Sequence, residues 1–422
     1  MPGTLAVIGA GWAGLAAAVV ACRAGHAVTL FDMAPQPGGR AREVLHDGLA
    51  LDNGQHILIG AYTQSLRLMR EVGVDVDAAL LRTPLRLSEP DGRGLHLPAG
   101  SPLWTFAAGV WGREGWSLRD RLALLAAAGG WAGRGFRCDP SLTVAGLTRG
   151  LGDTLRRDLI DPLCVAALNT PSAEASAAVF LRVLKDALFS GPGSADLLLP
   201  QVSLGALFPQ PALAWLATRG ATLRLGTRVQ RLECDGASWR VDGRAFDAVV
   251  LATPPTEAAR LVEAIAPEWA RRAAAFDYEP IITVYVEAGQ TRLPEAMLAL
   301  PGSVDAPAQF VFDRGQLGGP PGLLAFVISG ARPWVDAGRD ATVAATLAQA
   351  RRSLGPLLAG EPALRLLITE KRATFRCVPS LERPNAEIAP ALFAAGDHVA
   401  GPYPATLEGA VRSGIAAASA VT

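Results

Sequence analysis

The chain has almost no lysine. Of its 39 basic residues only Lys185 and Lys371 are lysines, and the rest are arginines, a skew that indicates compositional bias more than a functional role for each arginine. The 39 acidic residues balance the basic ones, so the formal net charge is zero. A neutral chain exerts little electrostatic attraction on nucleic acid, and we expect no nucleic-acid partner.

Cysteines are also few, and long apolar runs are missing. The five cysteines are scattered without a C-x-x-C pair, which suits a reducing compartment and predicts no metal site. No stretch reaches the ~18 uninterrupted apolar residues of a spanning helix. Residues 1–22 carry no charge, so they lack the basic start of a signal peptide. We expect a cytoplasmic protein, soluble or attached peripherally to the inner face of the membrane.

The material for a large core is nevertheless present. The chain has 422 residues, half of them hydrophobic, which exceeds what one typical core contains. Two domains are therefore expected.

The first forty residues predict a strand–loop–helix–strand unit. Thr4–Ile8 is a short apolar strand, Leu15–Ala24 an alanine-rich helix and His26–Phe31 a second strand. Asp32 ends that strand, eighteen residues after Gly14. A carboxylate at this place is suited to accept hydrogen bonds from the ribose of an adenosine.

Three glycines between the first strand and the helix form a G-x-G-x-x-G motif: Gly9, Gly11 and Gly14. The first glycine permits the tight turn, the second lets the backbone approach a pyrophosphate, and the third lets helix and strand pack closely. The N-terminus of the helix then faces the anion. Strand, glycines, helix and acid together predict a dinucleotide site.

A second glycine pair, Gly38 and Gly39, is followed at once by Arg40. Paired glycines permit close backbone approach, and an arginine offers a forked donor for phosphate oxygens. An ordinary surface turn is the alternative. The segment resembles the D/E-x(5)-GGR extension of the flavin amine oxidase and carotenoid desaturase superfamily. That resemblance implies FAD rather than NAD, with these three residues close to the flavin's phosphates.

The C-terminal segment supplies a second flavin signal. Leu392–Ala395 reads as a buried strand, Gly396 and Asp397 as a turn, and Thr406–Ala420 as a helix. Asp397 would present its carboxylate to a polyol such as ribityl. The helix N-terminus at Thr406 and Leu407 would direct its dipole towards an electron-rich group, which in a reduced flavin is the N1–C2=O region.

Three further segments return the chain to the cofactor. Gly54, within the segment Ala50–Leu58, is expected to pass close to the flavin. In the superfamily, the backbone at the position of Val229 usually contacts adenine, and the segment containing Thr253 closes over the cofactor. The resemblance thus implies an α/β (α+β) fold with a Rossmann-like FAD-binding domain and a discontinuous, mixed helix-and-sheet substrate domain.

The expected division of the chain follows from these signals. The FAD-binding domain is assigned residues 1–83, 200–266 and 375–422, and the substrate-binding domain residues 84–199 and 267–374. Within the latter, helices are expected at Ser117–Ala128, Leu147–Leu168 and Asp340–Ser353, and strands at Ile281–Glu287 and Leu323–Ser329.

Three segments narrow the resemblance to one branch: DNGQHILIGAY from Asp52, DPLCVAALNTP from Asp161 and AGDHVAGPYPATLEGAVRSG from Ala395. They look most like the squalene-associated FAD-dependent desaturases, which are hydroxysqualene dehydroxylases of bacterial hopanoid synthesis. This implies a long apolar isoprenoid substrate whose allylic hydroxyl is removed reductively to give squalene. A separate, unidentified reductant must reduce the flavin.

The implied chemistry needs a reduced flavin, an apolar tunnel and one proton donor that helps hydroxide to leave. We expect the tunnel wall from the helix-rich segment 84–199. Four candidate donors fall near the flavin motifs: His56, His398, Tyr403 and Glu408. The alternatives are structural roles: His56 could simply form a hydrogen bond with the backbone, and Glu408 could simply cap the amides of a helix.

Other functions share parts of this pattern. A carotenoid (phytoene-type) desaturase shares the FAD site and the apolar substrate. Amine oxidases typically place a lysine near the flavin and an aromatic pair facing it. Because this chain has only two lysines and four tyrosines, the amine-oxidase alternative is weakened. A lipid carrier resembling the Rab dissociation inhibitors would lack the cofactor motifs.

Tryptophan is concentrated in one stretch, with Trp104, Trp111, Trp116 and Trp131 among the nine in the chain. Tryptophan favours the headgroup layer of a membrane, so the stretch suits an interfacial anchor. Aromatic core or tunnel lining is an equal alternative.

Overall fold

The computed structural model describes residues 3–98, 100, 102–236, 238–301, 303 and 305–421. The strands are β1 (Thr4–Ile8), β2 (Ala27–Phe31), β3 (Glu43–His46), β4 (Leu49–Asp52), β5 (Leu58–Ile59), β6 (Leu80–Thr83), β7 (Arg86–Ser88), β8 (Gly94–His96), β9 (Leu197–Pro200), β10 (Thr222–Arg224), β11 (Leu232–Asp235), β12 (Ser238–Val241), β13 (Arg244–Phe246), β14 (Ala248–Leu251), β15 (Tyr278–Glu287), β16 (Met297–Ala299), β17 (Phe310–Asp313), β18 (Leu323–Ile328), β19 (Ala363–Phe375), β20 (Glu387–Ala389) and β21 (Leu392–Ala394).

The α-helices are α1 (Trp12–Arg23), α2 (Thr63–Glu71), α3 (Val76–Ala79), α4 (Pro102–Gly112), α5 (Leu118–Gly133), α6 (Val144–Leu147), α7 (Asp153–Leu155), α8 (Asp161–Leu168), α9 (Ala177–Phe189), α10 (Leu204–Leu207), α11 (Pro209–Ala217), α12 (Pro255–Val262), α13 (Pro267–Ala274), α14 (Arg332–Ala337), α15 (Arg339–Leu354) and α16 (Leu407–Val421). A π-helix spans Arg156–Ile160, and 3₁₀ turns lie at Arg314–Leu317 and Gly355–Leu357. No helix in the described ranges is both long and apolar enough to cross a membrane.

A six-stranded sheet organises the N- and C-terminal parts of the chain. Its order is β10-β2-β1-β14-β21-β20, and every pair is parallel except β20 with β21. Parallel strands covered on both faces read as continuous apolar runs, as β1 and β14 do. All six strands come from the three segments that the sequence assigned to cofactor binding.

Helix α1 packs tightly between this sheet and the last helix. It begins at Trp12, three residues before the predicted start, because Gly11 in extended conformation is its N-cap. A Cβ on Gly414 of α16 would lie 2.1 Å from the backbone oxygen of Ala13. The two helices therefore pack backbone against backbone at that point.

A five-stranded antiparallel sheet, ordered β16-β17-β18-β15-β19, forms the second layer. Side chains of β15 alternate between its faces, as expected for a strand. Ile282 and Val284 pack on the face of the sheet that helix α15 covers. Tyr285 packs on the opposite face with Leu199 and Phe312. That opposite face looks towards the interior of the molecule.

The segment between β8 and β9 is helical, as predicted, and has its own apolar core, which includes Trp116, Trp131 and Phe180. The prediction of one continuous helix over Leu147–Leu168 is wrong. Gly150 and Gly152 interrupt it, Gly152 becomes the N-cap of α7, and the π-helix Arg156–Ile160 precedes α8.

Two elements cross the expected domain limits. Strand β9 pairs with both β5 and β6, so the limits at 83 and 200 cut one small sheet. Helix α13 packs through Trp269 and Ala273 into the core of the six-stranded sheet. The passage to the second sheet thus lies after α13 rather than at residue 267. The two-domain division itself stays a proposal.

Candidate functional site

The three glycines of the first loop play three different structural parts. Gly9 has φ +112°, and a Cβ there would lie 2.4 Å from the backbone oxygen of Ala252. A Cβ on Gly14 would lie 1.8 Å from the Gly9 oxygen, so Gly14 lets α1 close on the loop. Around Gly11 the nearest atom to a Cβ is 4.0 Å away, which leaves that backbone open to a ligand.

The second glycine pair folds back onto this loop. The Gly38 amide donates to the Ala10 oxygen at 2.8 Å, and Gly38 forms an isolated bridge with Gly11. Gly38 and Gly39 have φ of +112° and +60°, which a residue with a side chain rarely adopts. The Asp32 carboxylate accepts from the Ala10 amide at 2.5 Å and so fixes the same turn.

Arg40 joins the two ends of the chain. Its guanidinium donates to the Asp397 carboxylate at 2.5 Å and to the Ala373 oxygen at 3.1 Å. Burial alone would raise the pKa of Asp397, but the Arg40 charge and hydrogen bond, aided by His398 and Arg383, hold it below its ordinary value. The two motifs that the sequence linked to flavin are thus joined by an ion pair.

The N-terminus of α16 completes this region. Thr406 Oγ1 accepts from the Gly409 amide at 3.1 Å, as a capping hydroxyl does. Gly396, with φ +157°, precedes Asp397 in the turn that follows β21. Helix N-terminus and carboxylate therefore face the same space.

That space is a cavity of about 1720 Å³, which exceeds the ~300–1,000 Å³ of a pocket for one small ligand. Its polar arm is lined by these residues predicted for FAD: Gly9, Gly11, Asp32, Gly38, Gly39, Arg40, Gly54, Val229, Thr253, Gly396, Asp397, Thr406 and Leu407. Gly14 does not line it, because its part is packing. Backbone glycines, a helix N-terminus and an arginine form a donor set that fits a dinucleotide.

The cavity continues into an apolar arm, lined among others by Phe106, Trp116, Leu124, Trp131, Leu159, Ile281 and Phe310. Most of these side chains come from the helical segment 84–199, and the rest from the five-stranded sheet. Trp116 and Trp131 are buried here, whereas Trp104 and Trp111 are 70% and 54% exposed. The tryptophan stretch therefore divides into tunnel lining and outer surface.

All four candidate proton donors line the cavity, but their surroundings differ. His56 lies with Nδ1 3.0 Å from the Gly54 oxygen, and burial lowers its pKa despite that contact. His398 is 2% exposed, and burial lowers its pKa to about 4. Its Nε2 is buried and has no hydrogen-bond partner among the residues that the structure describes. Both imidazoles are therefore neutral near pH 7.

Glu408 does not have the surroundings of a proton donor. It is 1% exposed, and its carboxylate accepts from the Ser65 amide at 2.9 Å, from the Ser65 hydroxyl and from the Gln64 amide at 3.1 Å. Arg412 donates to it at 2.7 Å. Both carboxylate oxygens accept hydrogen bonds from the first turn of α2. The contacts of Glu408 are therefore those of a helix cap and an ion pair rather than those of the expected proton donor.

Tyr403 lies between two arginines at the cavity wall. The guanidinium carbons of Arg182 and Arg412 lie 5.1 and 5.3 Å from its ring centre. Arg182 also donates to the Tyr403 hydroxyl at 3.3 Å. This hydroxyl is an acceptor in that contact and keeps its own proton for another partner.

Sequence reasoning missed a buried polar network beside His56. Gln55, which lines the cavity, donates to the Tyr285 hydroxyl at 2.8 Å. That hydroxyl donates to the backbone oxygen of Asp52 at 2.7 Å. Arg314 donates to the Gln55 side-chain oxygen at 2.9 Å. Burial raises the pKa of Asp52 to about 6. Tyr285 and Arg314 are remote in sequence from Gln55, and no local motif pointed to either residue.

Asn169, in the segment that singled out one branch of the superfamily, joins the helical segment to the sheet. It has φ +47° at the end of α8, where asparagine tolerates the left-handed conformation. Its amide donates to the Glu279 oxygen at 3.1 Å and to Thr374 Oγ1 at 3.0 Å, and its oxygen accepts from the Gly330 amide at 2.6 Å. Asn169 also lines the cavity.

Comparison with known proteins agrees with this architecture. The family model for flavin containing amine oxidoreductases matches residues 12–422. The hydroxysqualene dehydroxylase of Rhodopseudomonas palustris is 31% identical, covering 100% of this chain and 99% of that protein. The hydroxysqualene dehydroxylase of Sinorhizobium fredii is 29% identical over 99% of this chain and 98% of its own. A solved oxidoreductase from Methanosarcina mazei shares the fold, with TM-score 0.73, 19% identity and coverage of 98% and 99%.

Proposed function

Because the chain belongs to the flavin containing amine oxidoreductase family, we propose that it is an FAD-dependent enzyme that reduces hydroxysqualene to squalene. The proposal rests on one continuous cavity, in which a dinucleotide cradle opens into an apolar arm. In the reaction the allylic C–O bond breaks, a C–H bond forms, and hydroxide leaves as water after taking one proton. When bound and reduced beforehand by two electrons, FAD would supply the hydride.

We assign cofactor binding to the polar arm. The backbones of Gly11 and Gly39 leave room for the pyrophosphate, and Asp32 lies at the end of β2, where an adenosine ribose would bind. The Arg40–Asp397 pair offers both a forked donor and a carboxylate to the phosphate and ribityl groups. The N-terminus of α16 adds a dipole suited to the electron-rich edge of a reduced flavin.

The apolar arm would hold the isoprenoid chain and exclude water. An allylic cation that met bulk water would be captured as the alcohol again, so a dry wall protects the product-forming path. Side chains such as Phe106, Trp116 and Leu124 offer that wall without a nucleophile.

We propose His56 as the proton donor. Its Nδ1 proton is directed to the Gly54 oxygen, which leaves Nε2 to exchange a proton with the leaving hydroxyl. A lowered pKa makes the protonated form rare near pH 7 but a strong acid, and general acid help is worth roughly two to four orders of magnitude in rate. His398 Nδ1 lies 4.0 Å from the Asp397 carboxylate, beyond hydrogen-bond distance.

Two partners complete the proposal. An external reductant must deliver two electrons before each turnover, since the substrate is reduced. The isoprenoid substrate is insoluble in water, so we propose that the enzyme works at the surface of a membrane.

The direct test is anaerobic. Flavin-loaded protein is bleached with dithionite, hydroxysqualene is added, and flavin absorbance is followed while squalene is measured in the extract. We expect absorbance and squalene to rise together. Formation of a conjugated polyene from phytoene by the oxidised protein, with hydroxysqualene left unchanged, would favour the carotenoid desaturase alternative instead.

A further inference from the structure

We propose that the outer face of the α4–α5 hairpin docks on an anionic lipid bilayer and passes the substrate from the bilayer to the cavity. The delivery step rests on the proposed function, whereas lipid binding by itself does not.

The first observation is a concentration of exposed apolar side chains. The described part of the chain has six large apolar side chains that are mostly exposed, and four lie on this hairpin. They are Trp104 (70%), Trp111 (54%), Leu118 (59%) and Leu122 (53%). Single exposed apolar residues are ordinary on protein surfaces, but a cluster of this kind marks an interaction surface.

The second observation is the helical spacing of these residues. Helix α4 contains no charged residue, and Trp104 and Trp111 lie two turns apart on one side of it. On α5, the exposed positions Leu118, Leu122, Ala126 and Gly129 follow each other at helical intervals, and none is polar. Each helix thus presents a continuous apolar stripe outwards.

The opposite faces of the same helices line the cavity. Phe106 of α4 and Leu124, Ala128 and Trp131 of α5 belong to its apolar arm. The turn between the helices lines it too, and in that turn Glu114 and Gly115 are exposed. The cavity therefore reaches the molecular surface beside the apolar stripes.

The charge of the hairpin selects the partner. Residues 102–137 contain five arginines and two acids, although the whole chain is neutral. Asp120 is committed to a capping box with Ser117, while Arg119, Arg134 and Arg137 are exposed. Apolar stripes flanked by arginine suit a surface of anionic headgroups, where each basic residue adds attraction. A second copy docked about a two-fold axis would bring these arginines together.

Flotation with lipid vesicles tests the binding. Flavin-loaded protein is mixed with vesicles of equal parts phosphatidylcholine and phosphatidylglycerol, or of phosphatidylcholine alone. We expect the wild type to float with the anionic vesicles, less so at high salt. Trp104→Ser with Trp111→Ser should weaken that binding by about tenfold or more. Leu45→Ser, a matched control at a 67% exposed leucine away from the hairpin, should leave it unchanged.

Several results would overturn the proposal. They are a wild type that floats with neither vesicle, a double variant that binds as the wild type does, and a wild-type dimer that the double substitution separates into monomers. An unchanged flavin spectrum shows that the variant is folded. If that spectrum is lost, Leu118→Ser with Leu122→Ser, on the second stripe, replaces it under the same criteria.

Turnover separates delivery from chemistry. The double variant should match the wild type on hydroxysqualene dispersed in detergent and fall below it on hydroxysqualene in anionic vesicles. Equal losses in both media would contradict delivery through the hairpin. If the wild type turned over in neither medium, the proposed reaction would fail while the flotation result stood.

Discussion

Arg40 and Asp397 lie at opposite ends of the chain and yet form one ion pair of 2.5 Å. Their motifs could be recognised separately in the sequence because each has its own local pattern. Their direct contact could not, since it depends on β21 lying next to β14 in the sheet. The pair is the place where the predicted phosphate and ribityl sites meet.

Replacement of Asp397 tests this pair. Asp397→Ala removes an acceptor and leaves the guanidinium of Arg40 without its buried partner, so we expect FAD binding to weaken by about 1.5–3 kcal/mol. Asp397→Asn, which keeps an acceptor oxygen, should lose less. The dissociation constant of FAD, measured by fluorescence titration, checks the order; equal constants for all three proteins would refute the assigned role.

Substitution of His56 tests the proton donor through pH. Since burial lowers its pKa below the ordinary 6.5, the protonated donor becomes commoner only as pH falls, and the rate of flavin reoxidation by substrate should rise below pH 6.5. His56→Ala should lower that rate roughly 100-fold or more at acidic pH and flatten the profile. Stopped-flow absorbance measures it. A variant with the wild-type profile would exclude His56.

Glu408 shows what spacing cannot tell. Its position in the first turn of α16 placed it near the flavin motif, and the structure does put it at the cavity wall. Its partners Gln64 and Ser65 belong to α2, a helix far away in sequence. Only the packing of α2 against α16 reveals that both oxygens are already engaged.

At the scale of the element, the first glycine loop combines two kinds of glycine. One kind is required by the fold, because Gly9 and Gly14 are hemmed in by backbone atoms. The other is left open for a ligand, as Gly11 is. The tight turn at Gly9 and the close packing at Gly14 could be predicted from the motif, since strand, turn and helix are local features, whereas the pyrophosphate contact of Gly11 stays a prediction.

The two kinds of glycine predict different effects of substitution by valine. Gly11→Val should give a folded protein that has lost its flavin, because the side chain fills space left for the pyrophosphate. Gly14→Val should fail to fold, because even a Cβ would overlap the Gly9 oxygen. Circular dichroism and flavin-to-protein absorbance separate the two outcomes. Full flavin content in a folded Gly11→Val protein would contradict the phosphate cradle.

Asn169 acts at the same scale, as the joint between α8 and the five-stranded sheet. Asn169→Gly keeps the left-handed backbone but removes the side-chain hydrogen bonds, and we expect a loss of about 2–3 kcal/mol in the free energy of unfolding. Asn169→Ala should lose about 1 kcal/mol more, because alanine is strained at positive φ. Denaturant unfolding of the flavin-loaded proteins measures both. Equal stability of the wild type and both variants would show that the joint is unimportant.

At the scale of the whole molecule, the architecture followed from a few local signals. The Rossmann-like sheet, the flavin family and the helical source of the apolar wall were predictable, because each rests on a motif or a long apolar stretch. The continuous helix over Leu147–Leu168 was not correct, since Gly150 and Gly152 matter more than apolar content. The network of Tyr285 and Arg314 could not be predicted from the sequence, because its partners meet only through tertiary packing.

The tryptophan stretch shows how one sequence pattern can combine buried and exposed positions. Composition could not say which face of α4 and α5 looked inwards, so anchor and tunnel lining stayed equal. Packing against the cavity separates them: Trp116 and Trp131 line the tunnel, and Trp104 and Trp111 lie outside.

Isotopic labelling tests most directly whether the enzyme transfers a hydride to the substrate. The reduced, flavin-loaded protein is given hydroxysqualene without oxygen in deuterated water, where the hydrogen on the reduced flavin exchanges with solvent. We expect squalene carrying one deuterium at the carbon that bore the hydroxyl, in an amount equal to the flavin reoxidised. Unlabelled squalene, or hydroxysqualene recovered unchanged beside flavin that stays reduced, would contradict it.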